Sequence, residues 1–127
     1  MERMLGGELQ ARREYLGITR ADLARLLNVR EDTLRFWETG KTVIPYRVSS
    51  EITAIEEHTD STVNAIIEAA EKDKRPTIAV YRDTEQNIPE SVTDYGISWW
   101  RHVAARAHRI APGIVIGTRK ELLDREQ

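Results

Sequence analysis

The sequence contains no cysteine. That excludes a disulfide framework, a thiolate metal site and a catalytic thiol, and it fits a reducing compartment. It also lacks any apolar run near the ~20 residues that cross a bilayer, and Met1-Glu2-Arg3-Met4 does not lead into a secretory apolar core. The chain therefore reads as soluble and cytoplasmic, with no membrane partner. A large excess of one charge is missing too, since 19 Lys/Arg stand against 21 Asp/Glu. Residues 1–44 hold 8 basic against 7 acidic side chains, residues 45–75 hold 4 against 7, and residues 76–127 hold 7 against 7. Strong non-specific binding to nucleic acid through counterion release is excluded on that balance, and any DNA binding must come from charges gathered on one face.

Catalytic patterns are absent as well. His102 and His108 lie six residues apart, a spacing that does not place them on one helical face. His58 has no second histidine at metalloprotease spacing. Gly6-Gly7 is a lone pair rather than a phosphate loop, and Ser49-Ser50 and Ser98 have no nucleophile context. The reading is of a non-enzyme with no cofactor and no metal.

What is present is helical periodicity. Leu5, Leu9 and Leu16 share one face of a first helix, which Gly17 stops. Thr19 reads as the N-cap of a second helix, with Asp22 three residues on in a capping-box-like arrangement. Ala21, Leu23, Ala24 and Leu27 form its packed face, and Asn28 supplies the left-handed turn that ends it. A third helix runs over Glu31 to Thr39, with Leu34 and Trp37 inward and Gly40 closing it. Pro45 suits the first turn of a fourth helix. Val48, Ile52, Ile55, Thr59, Val63, Ile66 and Ala70 then recur at steps near 3.5 residues, which predicts about 27 residues of helix with a candidate break at residues 58–61. A stripe that long requires a partner along its length.

Beyond the charged linker Glu71–Pro76, Thr77–Tyr81 reads as a strand. Asp83–Ser91 reads as weakly helical and interrupted by Pro89. Ser98 reads as the cap of a helix reaching Ile110, Ile114–Ile116 as a second strand, and Arg119–Gln127 as a frayed charged end.

The residues Leu9, Arg13-Glu14, Gly17-Ile18-Thr19, Leu23-Ala24, Leu27, Val29, Thr33-Leu34, Trp37-Glu38, Gly40 and Pro45 together resemble the lambda-repressor-like (XRE) helix-turn-helix family, over less than a third of the chain. The resemblance implies a compact bundle whose third helix enters the major groove of DNA. It implies that Arg20 meets a phosphate, that Arg30, Glu31, Asp32 and Arg35 point toward DNA, and that Arg13 and Glu38 form an internal pair. Trp37 belongs to the core. Three positions depart from the family's usual residues: Arg20 replaces Gln, Asn28 replaces Gly, and Arg30 replaces Ser or Thr, which costs the third helix its side-chain cap. Glu31 and Asp32 read either as acceptors from cytosine amino groups or as stabilisers of the helix start. Lys41, on an exposed loop, reads as a phosphate contact or as a solvated lysine.

The later segments, with Arg75-Pro76, the strand ending in Tyr81 and Trp100-Arg101, resemble the phage and bacterial regulators that include anti-CRISPR-associated autorepressors. That resemblance implies a C-terminal dimerisation part. Adjacent helical residues point about 100° apart, so one of Trp99 and Trp100 enters the local core while the other faces a partner, the alternative being that both pack within the chain.

The expectation is a mainly α protein. Residues 1–72 form a lambda-repressor-like helical DNA-binding bundle that includes the long fourth helix, and residues 73–127 a small α+β dimerisation domain. Its function is that of a homodimeric, sequence-specific regulator, an autorepressor on an inverted repeat of double-stranded DNA. DNA contacts fall to Arg20, Arg30, Glu31, Asp32, Arg35 and Lys41, and dimer contacts to Ile55, Val63, Ile66, Tyr81, Trp99 and Trp100. The rival readings are an antitoxin that also sequesters a toxin and a protein-interaction adaptor that has lost DNA binding.

Overall fold

The computed structural model describes residues 3–126, so Met1, Glu2 and Gln127 lie outside the described residues. It is mainly helical with one small sheet. In chain order the elements are α1 (Gly6–Tyr15), α2 (Arg20–Leu26), α3 (Glu31–Glu38), α4 (Arg47–Glu71), β1 (Thr77–Val80), α5 (Glu90–Thr93), α6 (Ile97–Ile110), β2 (Val115–Thr118) and α7 (Arg119–Arg125).

Helices α1 to α3 close around Leu9, Leu16, Ile18, Leu23, Leu27, Leu34 and Trp37, all buried. Burying each such side chain is worth about 1.5–3 kcal/mol, which is what holds three helices of ten residues or fewer. Gly6 matters here as a point of contact. A Cβ on it would overlap the backbone carbonyls of Trp37 and Glu38, so the start of α1 can lie directly on the end of α3 only with glycine there.

Helix α4 is one unbroken helix of 25 residues. Pro45 precedes it rather than entering its first turn, its carbonyl accepting from Val48 N at 3.1 Å. The polar stretch at 58–61 does not break the helix, because Thr59 and Asp60 are engaged with the helix itself and with α6. Thr59 Oγ1 donates to the Ile55 carbonyl at 2.7 Å and accepts from Trp99 Nε1 at 2.9 Å. Asp60 pairs with Arg106 of α6 at 2.9 Å. The side chain of Thr62 donates to the His58 carbonyl at 2.8 Å.

Strands β1 and β2 pair in parallel, Thr77 opposite Val115 through Val80 opposite Thr118, with α5 and α6 in the crossover between them. A parallel pair requires such a crossover. The outward edge of β1 is covered by α6, since Ala79 O accepts from Trp100 Nε1 at 2.8 Å and Tyr81 O from Arg101 Nη1 at 2.9 Å.

Three local readings are revised. Ser98 lies inside α6, whose N-cap is Gly96 at φ 109°; the Asp22 side chain approaches so closely that a Cβ there would overlap it. Asp83–Pro89 is not helical. Asn87 turns left-handed at φ 58°, and Arg119 holds the loop by donating to the Gln86 and Asn87 carbonyls at 2.8 and 2.6 Å. The charged end from Arg119 is an ordered helix, α7, opened by a complete capping box in which Thr118 and Glu121 each bond the other's backbone N–H.

The apolar core is one cluster from Leu9 to Ile114, with α4 common to both ends of it. The stripe on α4 finds its partners within the chain: Val48, Ile52, Ile55, Thr59 and Val63 are buried, the apolar ones in the one apolar cluster, with α6 as the main neighbouring element.

Candidate nucleic-acid interface

The turn between α2 and α3 is built by local chemistry. Thr19 Oγ1 accepts from Asp22 N at 3.1 Å and caps α2. Unlike a full capping box, the Asp22 carboxylate accepts from the Thr19 hydroxyl, at 3.0 Å. Asn28 takes φ 56°, and Val29 N then donates to the Ala24 carbonyl at 2.9 Å. Arg30 stands at the N-cap of α3 with no side-chain cap bond, and Glu31 and Asp32 occupy the first turn, where negative charge favours the helix dipole.

The orientation of α3 is fixed from beneath. Glu38, almost fully buried, accepts from Arg13 Nε at 2.6 Å and Arg13 Nη2 at 3.0 Å. Arg13 Nη1 donates to the Ile18 carbonyl at 3.0 Å. This two-pronged pair is the one the sequence suggested between the first and third helices. Arg20 Nε joins it, donating to Glu38 at 3.2 Å. The exposed Glu14 carboxylate lies 3.9 Å from Arg13 Nη2, so two guanidiniums face one buried and one exposed carboxylate. Arg20, the expected phosphate contact, is thus held internally at one end, with its side chain a third exposed.

Of the other expected contacts, Arg30, Glu31, Asp32, Arg35 and Lys41 are all exposed on or beside the outer face of α3. Asp32 and Arg35 pair with each other at 2.9 Å, one helical turn apart. The face carries three cations and two carboxylates, a weakly positive surface, as the sequence balance required.

One residue of this face was not singled out from sequence. Phe36, the single phenylalanine of the chain, is half-buried. The Lys41 ammonium lies 4.3 Å and the Arg35 guanidinium 5.4 Å from its ring centroid. The one available signal was an aromatic side chain on the outer half of a short helix whose core positions, Leu34 and Trp37, were already assigned.

The residues expected at a dimer contact separate into two groups. Ile55, Val63 and Trp99 are buried within the single chain. Ile66, Tyr81 and Trp100 are half-buried and line one groove of about 290 Å³ between the end of α4, β1 and α6. Of the tryptophan pair, Trp99 is the core residue.

The histidines are dispersed. The His58 ring stacks on Tyr95 at 4.5 Å. His108 Nδ1 lies 2.7 Å from the Ile114 carbonyl. His102 packs edge-on against Tyr15 at 5.2 Å with its Nε2 buried and without a partner. Burial, and the nearby Arg106 to a lesser degree, hold its pKa below the usual histidine value. Among the described residues no three His, Asp or Glu side chains gather closely enough to hold a metal, and no helix is long and apolar enough to cross a membrane.

No curated protein matches the chain. Residues 4–56 match a family described as a helix-turn-helix domain, a span from just before α1 to the first half of α4. Residues 4–56 of this chain are thus similar to a helix-turn-helix domain, a module that in other proteins binds DNA.

Proposed function

We propose that the protein is a homodimeric, sequence-specific transcriptional regulator of the lambda-repressor-like type. It lays α3 in the major groove and acts as a repressor, its own promoter included. The observation that carries this reading is the helix-turn-helix domain itself, with α3 anchored from beneath by Glu38 and presenting Arg30, Arg35 and Lys41 to solvent. Arg35 is the base-reading side chain, since arginine pairs two-pronged with guanine O6 and N7. Reaching a base requires it to leave Asp32. Arg30 and Lys41 meet phosphates, and Arg20 does so with the guanidinium nitrogens not turned to Glu38. Asp32, and Glu31 beside it, keep non-specific affinity low by repelling phosphates when no base contact compensates.

A second copy completes the reader, because two α3 helices about one DNA turn apart read an inverted repeat. The groove lined by Ile66, Tyr81 and Trp100 offers the half-exposed apolar surface that such a contact uses. Occupying a promoter without a dedicated effector domain represses it.

The test is fluorescence anisotropy on DNA from directly upstream of the gene, beside a scrambled duplex, at two salt concentrations, with Arg35→Ala as control. Tight binding to the native duplex that the substitution weakens by about tenfold or more, as loss of one two-pronged contact predicts, supports the reading. Equal weak binding to both duplexes that vanishes with modest salt, with selection from random duplexes also returning no consensus, overturns it.

A further inference from the structure

We propose that Phe36 is a positioning residue for DNA binding: its ring holds Lys41 in the place from which it meets a phosphate of the duplex. This rests on the reading of α3 as the recognition helix and adds to it a residue that neither the sequence pattern nor the family match assigns.

Phe36 organises the turn after α3 from two sides. Its carbonyl accepts from Lys41 N at 2.9 Å, from Thr42 N at 3.3 Å and from Thr39 Oγ1 at 3.2 Å, so the loop from Thr39 to Thr42 is folded back onto this one residue. Its ring then lies under the side chain of that same loop's lysine, ammonium to centroid 4.3 Å, with Arg35 at 5.4 Å. Both distances fall within the reach of a cation–π attraction. Lysine and arginine are otherwise the side chains with the most rotamer freedom to lose on binding. A ring that holds the Lys41 ammonium beside the outer face of α3 removes part of that loss before DNA arrives. The buried face of α3 does not need an aromatic at this position, because Leu34 and Trp37 already fill the core beneath.

The distinguishing experiment compares Phe36→Leu, which keeps an apolar side chain but removes the ring's charge distribution, with Phe36→Tyr, which keeps the ring. Binding to the selected operator is measured over a salt series beside thermal unfolding of each variant. Phe36→Leu is expected to bind about two- to fivefold more weakly, as loss of one exposed cation–π contact implies. Its slope of log affinity against log salt stays unchanged, because no charge is removed. Phe36→Tyr binds like the unmodified protein. Lys41→Gln, by contrast, flattens the slope by about 0.9, the loss of one phosphate contact. The double variant Phe36→Leu/Lys41→Gln binds no more weakly than the worse single variant if the ring acts through the lysine, and this coupling decides the matter even if Phe36→Leu lowers the melting temperature. Equal binding by Phe36→Leu and the unmodified protein, or fully additive losses in the double variant, overturns the role of Phe36 while leaving DNA recognition standing. Failure of the unmodified protein to select any duplex overturns the recognition-helix reading, and this proposal with it.

Discussion

Helices α1 and α3 are tied by a buried carboxylate, whereas α4 and α6 are tied by a hydroxyl and an indole. In the helix-turn-helix part Glu38 gathers Arg13 and Arg20. Between α4 and α6 Thr59 receives the Trp99 N–H within a stack that includes His58 and Tyr95. Both are polar locks at the centre of an apolar contact, but they fail differently. A broken neutral lock strands one donor. A broken ionic lock strands whole charges in a site with little water to screen them. The charged lock also fixes direction more strictly, since a two-pronged arginine accepts one geometry. That stringency suits the recognition role proposed for α3, while α4 and α6 need only stay together.

The largest effect expected follows from that difference. Glu38→Ala leaves Arg13 buried without its counter-ion and should cost about 3–5 kcal/mol, a large share of a typical domain's stability. Urea unfolding followed by tryptophan fluorescence would show it, and a loss below about 1 kcal/mol would remove the contrast between the two locks. Thr59→Val keeps the shape and strands only the Trp99 indole N–H, for which about 1–3 kcal/mol is expected by the same measurement. Were it to exceed the Glu38 effect, the neutral lock would be the stronger one.

Gly17→Ala tests how the two halves meet. Gly17 sits at φ 72°, and a Cβ there would come 2.9 Å from the Cβ of His102 and 3.0 Å from the Ser98 carbonyl. Backbone strain alone costs about 1–2 kcal/mol, and the crowding against α6 adds to it. Chemical shift changes confined to the α1–α2 turn, with none on α6, would mean that the halves do not touch there.

The smallest effect is pH-dependent and comes from the same contact. His102 faces Tyr15 of α1, Arg106 of its own helix and Asp60 of α4. Burial holds its folded pKa below its unfolded value of 6.5. The unfolded chain therefore binds the proton more readily, and stability present above pH 6.5 declines as pH falls toward the depressed value. Melting temperatures at pH 7.5 and pH 5 should differ more for the unmodified protein than for His102→Gln, and identical pH differences would exclude a titrating His102.

Much of the helix-turn-helix part was legible because its signals are local. Thr19 capping α2, Asn28 in the left-handed turn, Leu34 and Trp37 facing inward and the Arg13–Glu38 pair all follow from spacings of a few residues or from a family pattern of such spacings. Distant partners were not legible. The candidate break at residues 58–61 looks polar in sequence, and only Trp99 and Arg106, some forty residues away, show why the helix continues. Ser98 looked like a cap because serine caps helices, yet the approach of Asp22 moved the start of α6 to Gly96. The capping box of Thr118 and Glu121 was written in the sequence but masked by the density of charge around it, a density that suggests fraying when local bonds are not counted.

By itself the sequence determined the helical periods, the turn chemistry between α2 and α3, the weak positive charge of the outer face of α3 and the helix-turn-helix character of the first half. These depend on φ/ψ preferences and on contacts one helical turn apart. The tertiary structure decided which surface of the long α4 is left over once α6 has covered its stripe, that Arg20 is shared between Glu38 and solvent, and that Phe36 lies beneath Lys41. Burial and pairing depend on which distant groups arrive at a site, and no spacing along the chain contains that information.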